Sequence, residues 1–292
     1  MGVLLAVVLA AWMAFVAPAA RALPTPSEDP FYRYAGSTPL ASIAPGSVLK
    51  TRTLSYHVAG VPLPVTAVQL LYRSTGAVGQ PTVNVTSVLL PLLRLGTPTV
   101  VSYQSFYDSL NNEDEPSYAI SGGVSLGGLI PDVESAIIAP ALLAGDAVVV
   151  SDTEGEEADF SAGPVYGMNT LDALRAALAS PATGLAGTQE IGLIGYSGGA
   201  IATEWAAELA PSYAPGPGDG VMIAGDVRSL AREYCSRGVT VQYEQYEDLS
   251  HVPSALVWLP EAYAWLAGRF LGSPAPQNCA QIAPGNSLEP IP

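Results

Sequence analysis

The sequence predicts an α/β fold: a mostly parallel central sheet preceded by antiparallel strands. Three observations carry this expectation. From Val48 to Pro91 the chain alternates apolar and polar residues and is rich in β-branched side chains, the pattern of half-buried strands. After that, short apolar strands alternate with helical runs, the order that builds a parallel sheet. Ala147–Ser151 (AVVVS) is apolar without a break, as a strand buried on both faces must be.

Residues 23–50 open Pro-, Ser- and Gly-rich and are expected to wrap the surface. VLKTRTLSYHVAGVPLPVTAVQLLYRST reads as two antiparallel strands joined near Gly60-Val61-Pro62, and Thr82–Pro91 as the next. Thr97–Tyr103 reads as a short buried strand ending at a polar loop. Val133–Ala144 reads as a helix interrupted near Pro140. Thr170–Ala179 reads as a helix with Asn169 or Thr170 as its cap. Glu190–Gly195 is an apolar strand and Ala200–Ala210 a helix. Asp226–Arg237 is a helix ending at Gly238, Val239–Tyr243 a strand, and Ser254–Phe270 a long amphipathic helix. There are no internal repeats.

Composition narrows the function classes. The chain has 292 residues, 49% of them hydrophobic, ample for a core and incompatible with disorder. The net charge is −15 and Lys50 is the single lysine. Such a surface repels phosphate backbones and anionic lipid, which argues against nucleic-acid binding. A neutral or interfacial apolar substrate remains compatible. The N-terminus has an apolar run from Val3 to Val16, then Ala20-Arg21-Ala22, an A-x-A-like cleavage site. This predicts a signal peptide over residues 1–22 and a mature chain of 23–292, secreted and without a membrane span. The run is shorter than the ~20 residues that would make it an anchor. The missing basic n-region suggests a true start further upstream.

Two cysteines, Cys235 and Cys279, form an even pair, which in a secreted chain reads as a disulfide; the alternative is two buried thiols. Two cysteines and two histidines make no metal site, and no cofactor is implied. Asn84-Val85-Thr86 is a glycosylation sequon and is read as incidental.

The chemistry gathers at Gly195-Tyr196-Ser197-Gly198-Gly199, a G-x-S-x-G between strand and helix. That spacing places a serine on a sharp turn, with small residues on either side so that strand and helix can approach. A nucleophilic serine needs a base, and the base an orienting acid. His57 sits in an N-terminal strand. His251 follows the last predicted strand and fits the order serine, acid, histidine. The acid should lie between Ser197 and His251. Asp219, in the loop Gly218-Asp219-Gly220, is preferred, with Asp248 next; Glu204, Glu208, Asp226 and Glu233 look helical. One oxyanion donor should be the amide of Gly198 and the other an amide in the loop Tyr103–Ser109, whose member the residues alone do not select.

The ordered motifs SYQSFYDS with PSY, VVSDTEG, LDALRAA, GYSGGAIATEWAAELAPSYAP, GDGVMIAGDVRSLAREYC and LSHV extend this reading. With them the chain, over nearly all of residues 28–280, resembles the secretory lipase family of α/β-hydrolases, which includes the fungal lipase A type and many actinobacterial lipases. The resemblance implies an α/β-hydrolase fold and a carboxylic-ester hydrolase acting on acylglycerols or simpler esters. It implies Ser197 as nucleophile, Asp219 as acid and His251 as base. Asp108 and Gly198 become the oxyanion donors, and Cys235 and Cys279 a disulfide pair. The chain departs from the family between the elbow helix and Asp219. Family members carry a long lid insertion there, followed by sheet strands; here only Pro211–Gly218 intervenes. An elbow helix of about eleven residues carries the chain roughly 17 Å from the active face. Eight extended residues return at most about 28 Å, enough to bring Asp219 back. The lid and some sheet strands are expected to be missing, which favours short soluble esters and weak interfacial activation. The alternatives are a catalytically impaired remnant left by an internal deletion, or an acyltransferase using the same triad.

Overall fold

The computed structural model describes residues 23–93, 98–185, 190–209, 224–246 and 251–287. The expected signal peptide, the shortened region 211–218 and Asp219 lie outside the described residues. Three long strands come first: β1 (Val48–Val58), β2 (Val61–Thr75) and β3 (Pro81–Leu90). They form an antiparallel meander, β1 against β2 and β2 against β3. Then follow β4 (Val100–Gln104), the short helices α1 (Pro116–Ser121) and α2 (Leu129–Val133), α3 (Ser135–Ala144) and β5 (Ala147–Ser151). The remainder is α4 (Gly163–Ala179), β6 (Ile191–Gly195), α5 (Gly198–Leu209), α6 (Ala224–Ser236) and α7 (His251–Phe270).

The six strands form one sheet in the order β1-β2-β3-β5-β4-β6. β4 runs parallel to both neighbours, β5 and β6, while β3 meets β5 antiparallel. This is the mixed sheet of an α/β-hydrolase fold, with its parallel strands where the helices alternate. β5 shows why the sequence folds this way. Its five residues are all buried. Val148 and Val150 face a core shared with Ile138 and Ala141 of α3 and Leu266 of α7. Ala147 and Val149 face the opposite core, shared with Ala173 and Ala177 of α4. Each fully buried valine removes apolar surface worth about 1.5 kcal/mol or more, so helices on both faces are what make the uninterrupted apolar run favourable.

Three expectations are corrected. Pro140 lies inside α3 and does not interrupt it; the break falls at Glu134, between α2 and α3. A proline there forfeits one intrahelical bond, which the packing of Ile138 and Ala141 offsets. α4 starts at Gly163, seven residues before the expected Thr170. Asn169 therefore caps nothing; its side-chain oxygen accepts from the Ser74 hydroxyl and its amide donates to the Thr153 carbonyl. Val239–Tyr243 is not a strand. Its backbone is tied to Asn278, which donates from its amide N–H to Val241 and from its side chain to Tyr243. A strand needs a neighbouring ladder, and none of the described strands pairs with this segment.

The expected strand order and the expected disulfide are both found. The antiparallel strands come first and the parallel ones follow where helices alternate with them. Cys235 and Cys279 form a disulfide that ties α6 to the C-terminal segment. Asn84 of the sequon is buried and donates to the Tyr72 hydroxyl and the Asp152 carbonyl, so it presents no acceptor for a glycan. No described helix is long and apolar enough to cross a membrane.

Candidate active site

Parallel pairing brings three loops together at one end of the sheet. Gln104, the last residue of β4, pairs with Gly195, the last of β6, and Tyr103 pairs with Val150 of β5. The segments that follow, 105–109, 196–198 and 152–154, therefore leave the sheet side by side at the carboxyl ends of its parallel strands. In open α/β sheets that is where ligands bind.

Ser197 sits on the turn between β6 and α5 with φ of 54°. A side-chain-bearing residue seldom adopts that angle, and where one does it is held there by its surroundings. Here the surroundings are the glycines. A Cβ on Gly195 would run into the Gly199 carbonyl, and one on Gly199 into the Gln104 carbonyl at the end of β4. Both obstacles are backbone and cannot give way. The expected result for Gly199→Ala is a loss of about 3 kcal/mol of stability, at the upper end for an overpacked site, together with loss of any Ser197 chemistry. Chemical denaturation of the two proteins measures it, and an unchanged midpoint would contradict the close packing. Further along α5, Trp205 lies against Gly163 and Gly167 of α4, fixing the direction in which the elbow helix leaves the sheet.

Gly198 touches the loop after β4. A Cβ there would meet the Asp108 carboxylate, and Asp108 itself has φ of 36°. The structure thus brings Ser197, Gly198 and Asp108 together from two separate loops. His251 is the first residue of α7. Asp219 and Asp248 lie outside the described residues. His57 is half-buried in β1, its ring nitrogen 3.3 Å from the Ile120 carbonyl, away from the elbow. Beside the elbow, Tyr196 stacks edge-on with Phe106 at 6.0 Å and packs against Trp258 at 5.5 Å. Along the outer side of β6 runs a cavity of about 400 Å³, bordered by Leu193, Tyr243, Trp258, Trp265 and Leu266.

Two residues at the site carry no role in the sequence reading. Glu134 is fully buried, accepting from the Ser105 hydroxyl at 2.6 Å and the Phe106 amide at 2.8 Å. Glu154 is fully buried on the other side, accepting from the Ser109 amide at 3.2 Å and the Tyr166 hydroxyl at 2.7 Å. Its own amide donates to the Tyr107 hydroxyl. Burial pushes both carboxyl groups up to about 7, and the nearby Asp108 charge adds to the rise. Nothing local in VVSDTEG distinguishes such a glutamate from a solvated one. Its position just past the buried strand β5 was the one signal that could have found it.

The secretory lipase family model matches residues 122–218, from the end of α1 through β5, α4, β6 and α5. A probable inactive lipase of Mycobacterium tuberculosis is 40% identical over 193 residues, which cover 65% of this chain and 43% of that protein. Lipase 4 of Candida albicans is 39% identical over 198 residues, covering 66% of this chain and 42% of the relative. The chain thus spans less than half the length of these curated relatives. Among solved structures, Candida antarctica lipase A in its closed state superposes with a TM-score of 0.59 at 35% identity, over 67% of this chain and 45% of that one. The strand–elbow–helix geometry lies inside the matched region, and over residues 122–218 the chain is similar to the secretory lipase family.

Proposed function

We propose that this chain is a secreted, serine-dependent carboxylic-ester hydrolase of the triacylglycerol-lipase type. The observation that carries the reading is Ser197, held at a left-handed backbone angle between β6 and α5 and beside Asp108. In this mechanism Ser197 attacks the ester carbonyl while His251 takes its proton and Asp219 orients the imidazole. The amides of Gly198 and Asp108 stabilise the tetrahedral oxyanion. His251 then protonates the leaving alcohol, and water repeats the sequence to release the acid. The disulfide fits an oxidising, extracellular setting.

A second reading, a hydrolase remnant without activity, is favoured by one observation: a relative matched at 40% identity bears the name of a probable inactive lipase. One experiment separates the readings. The protein is incubated with 4-nitrophenyl butyrate, and in parallel with a fluorophosphonate that labels activated serines. Turnover, with a stoichiometric label on the Ser197 peptide by mass spectrometry, supports the hydrolase. No turnover and no label supports the remnant, and turnover with the label elsewhere overturns the assignment of Ser197.

A further inference from the structure

The loop Ser105–Ser109 is held from both sides by carboxylates that the catalytic sequence above does not use. On one side Glu134, between α2 and α3, takes the Ser105 hydroxyl and the Phe106 amide. On the other, Glu154, three residues past β5, takes the Ser109 amide, and its own amide reaches the Tyr107 hydroxyl. Between these anchors stands Asp108, at φ of 36°. We infer that Glu134 and Glu154 are positioning residues that clamp this loop so that the Asp108 amide points to the oxyanion site. The inference rests on the hydrolase reading for its catalytic consequence.

The arrangement is energetically costly. A buried carboxyl group costs solvation, and one beside a site where negative charge develops also opposes the reaction. An apolar core would serve stability at least as well. What an apolar core cannot do is accept N–H and O–H groups from defined directions. The direction of the Asp108 N–H depends on the torsions of Tyr107 and Asp108. A residue at positive φ relaxes unless its neighbours over-determine it. The contacts at Phe106, Tyr107 and Ser109 are those neighbours. The partial retention of protons near neutrality, produced by burial, lessens the charge these groups set against the oxyanion. Tyr166, donating to Glu154, fixes the second clamp to α4.

The test uses the full chain with Glu134→Ala, Glu154→Ala and the corresponding glutamines. Glutamine keeps a carbonyl acceptor of the same reach; alanine leaves a half-buried amide without its side-chain partner. For 4-nitrophenyl butyrate, each alanine variant is expected to lose at least ~30-fold in kcat with KM within about threefold, as for an interaction realised in the transition state. The glutamine variants should stay within about fivefold of the wild type, on the same principle. Amide exchange at Phe106 and Ser109 should quicken at least ~10-fold in the alanine variants and remain local. Wild-type kcat in the alanine variants, or glutamine as poor as alanine, overturns the positioning role. Should the wild type hydrolyse nothing, the hydrolase reading fails, and the clamp stands or falls on exchange alone: unchanged protection in the alanine variants overturns it. If Glu154→Ala does not fold, Tyr166→Phe removes the hydroxyl that holds Glu154, and a kcat loss of roughly threefold or more at constant KM is expected.

Discussion

Ser197→Ala is expected to lower kcat/KM for a short-chain ester by at least about 10⁴-fold, with the fold intact. The substitution removes the attacking oxygen and keeps the backbone around it. Alanine retains the Cβ that the elbow already accommodates, and the close contacts at Gly195 and Gly199 do not involve residue 197. Ser197 is half-buried, and one hydroxyl in such a place contributes about 1 kcal/mol or less. The melting temperature should therefore stay within about 4 °C. The residual rate should still exceed the uncatalysed one, because the Gly198 and Asp108 amides and substrate binding remain. Rates within about tenfold of the wild type would assign the hydrolysis to another group.

The second large effect concerns pH. Burial pushes Glu134, Asp152 and Glu154 up to about 7, and Glu204 to the same value, helped by the Glu208 charge. Glu115 is also raised, by burial and then by the charge of neighbouring Asp152. Unfolded, all these groups ionise near pH ~4. Folded, they keep their protons to about 7, so between these limits the folded chain binds more protons than the unfolded one. Stability is then fully present below about pH 4 and is lost as pH rises toward about 7 and beyond. Asp114, lowered by hydrogen bonds from Ser109, Ser125 and the Gly127 amide, acts in the opposite sense and lies largely below this window. Each tenfold difference in proton affinity between the folded and unfolded chain is worth about 1.4 kcal/mol, so the fully buried Glu134 alone accounts for roughly 3 kcal/mol. A loss of that size lowers Tm by about 5 °C in a chain of this length. Calorimetry at about pH 5 and about pH 8, either side of the window, measures it; equal melting temperatures, or a higher one in the alkaline sample, would refute the buried-carboxyl account.

How far the sequence could be read depended on which forces leave a local trace. Continuous apolar runs flanked by turn residues marked β4, β5 and β6 because burial on both faces demands them. The elbow was legible because steric exclusion fixes glycine at 195 and 199. The first two turns of α4 were not, since every residue from Val165 to Thr170 is buried and leaves no polar face to set a period. Val239–Tyr243 has the alternation of a strand, but alternation reports only that a strand is possible; the ladder must come from elsewhere. Glu134 and Glu154 left no trace either, because a carboxyl group becomes a structural acceptor only through distant residues such as Ser105 and Tyr166. Asp219 follows from chain order and loop chemistry, and it lies outside the described residues.

The edge of the sheet at β6 has a practical consequence. Among the described residues only β4 pairs with this strand, and Trp258 and Trp265 lie along its other side. An unpaired edge beside apolar rings is a natural meeting place for two molecules. At neutral pH the charge of −15 keeps copies apart. Acid that returns protons to the buried glutamates also discharges the surface, so the solution in which one molecule best withstands heat is the one in which many molecules most readily precipitate. The two effects of acid have opposite sign, and a preparation keeps longest at a pH between the two optima.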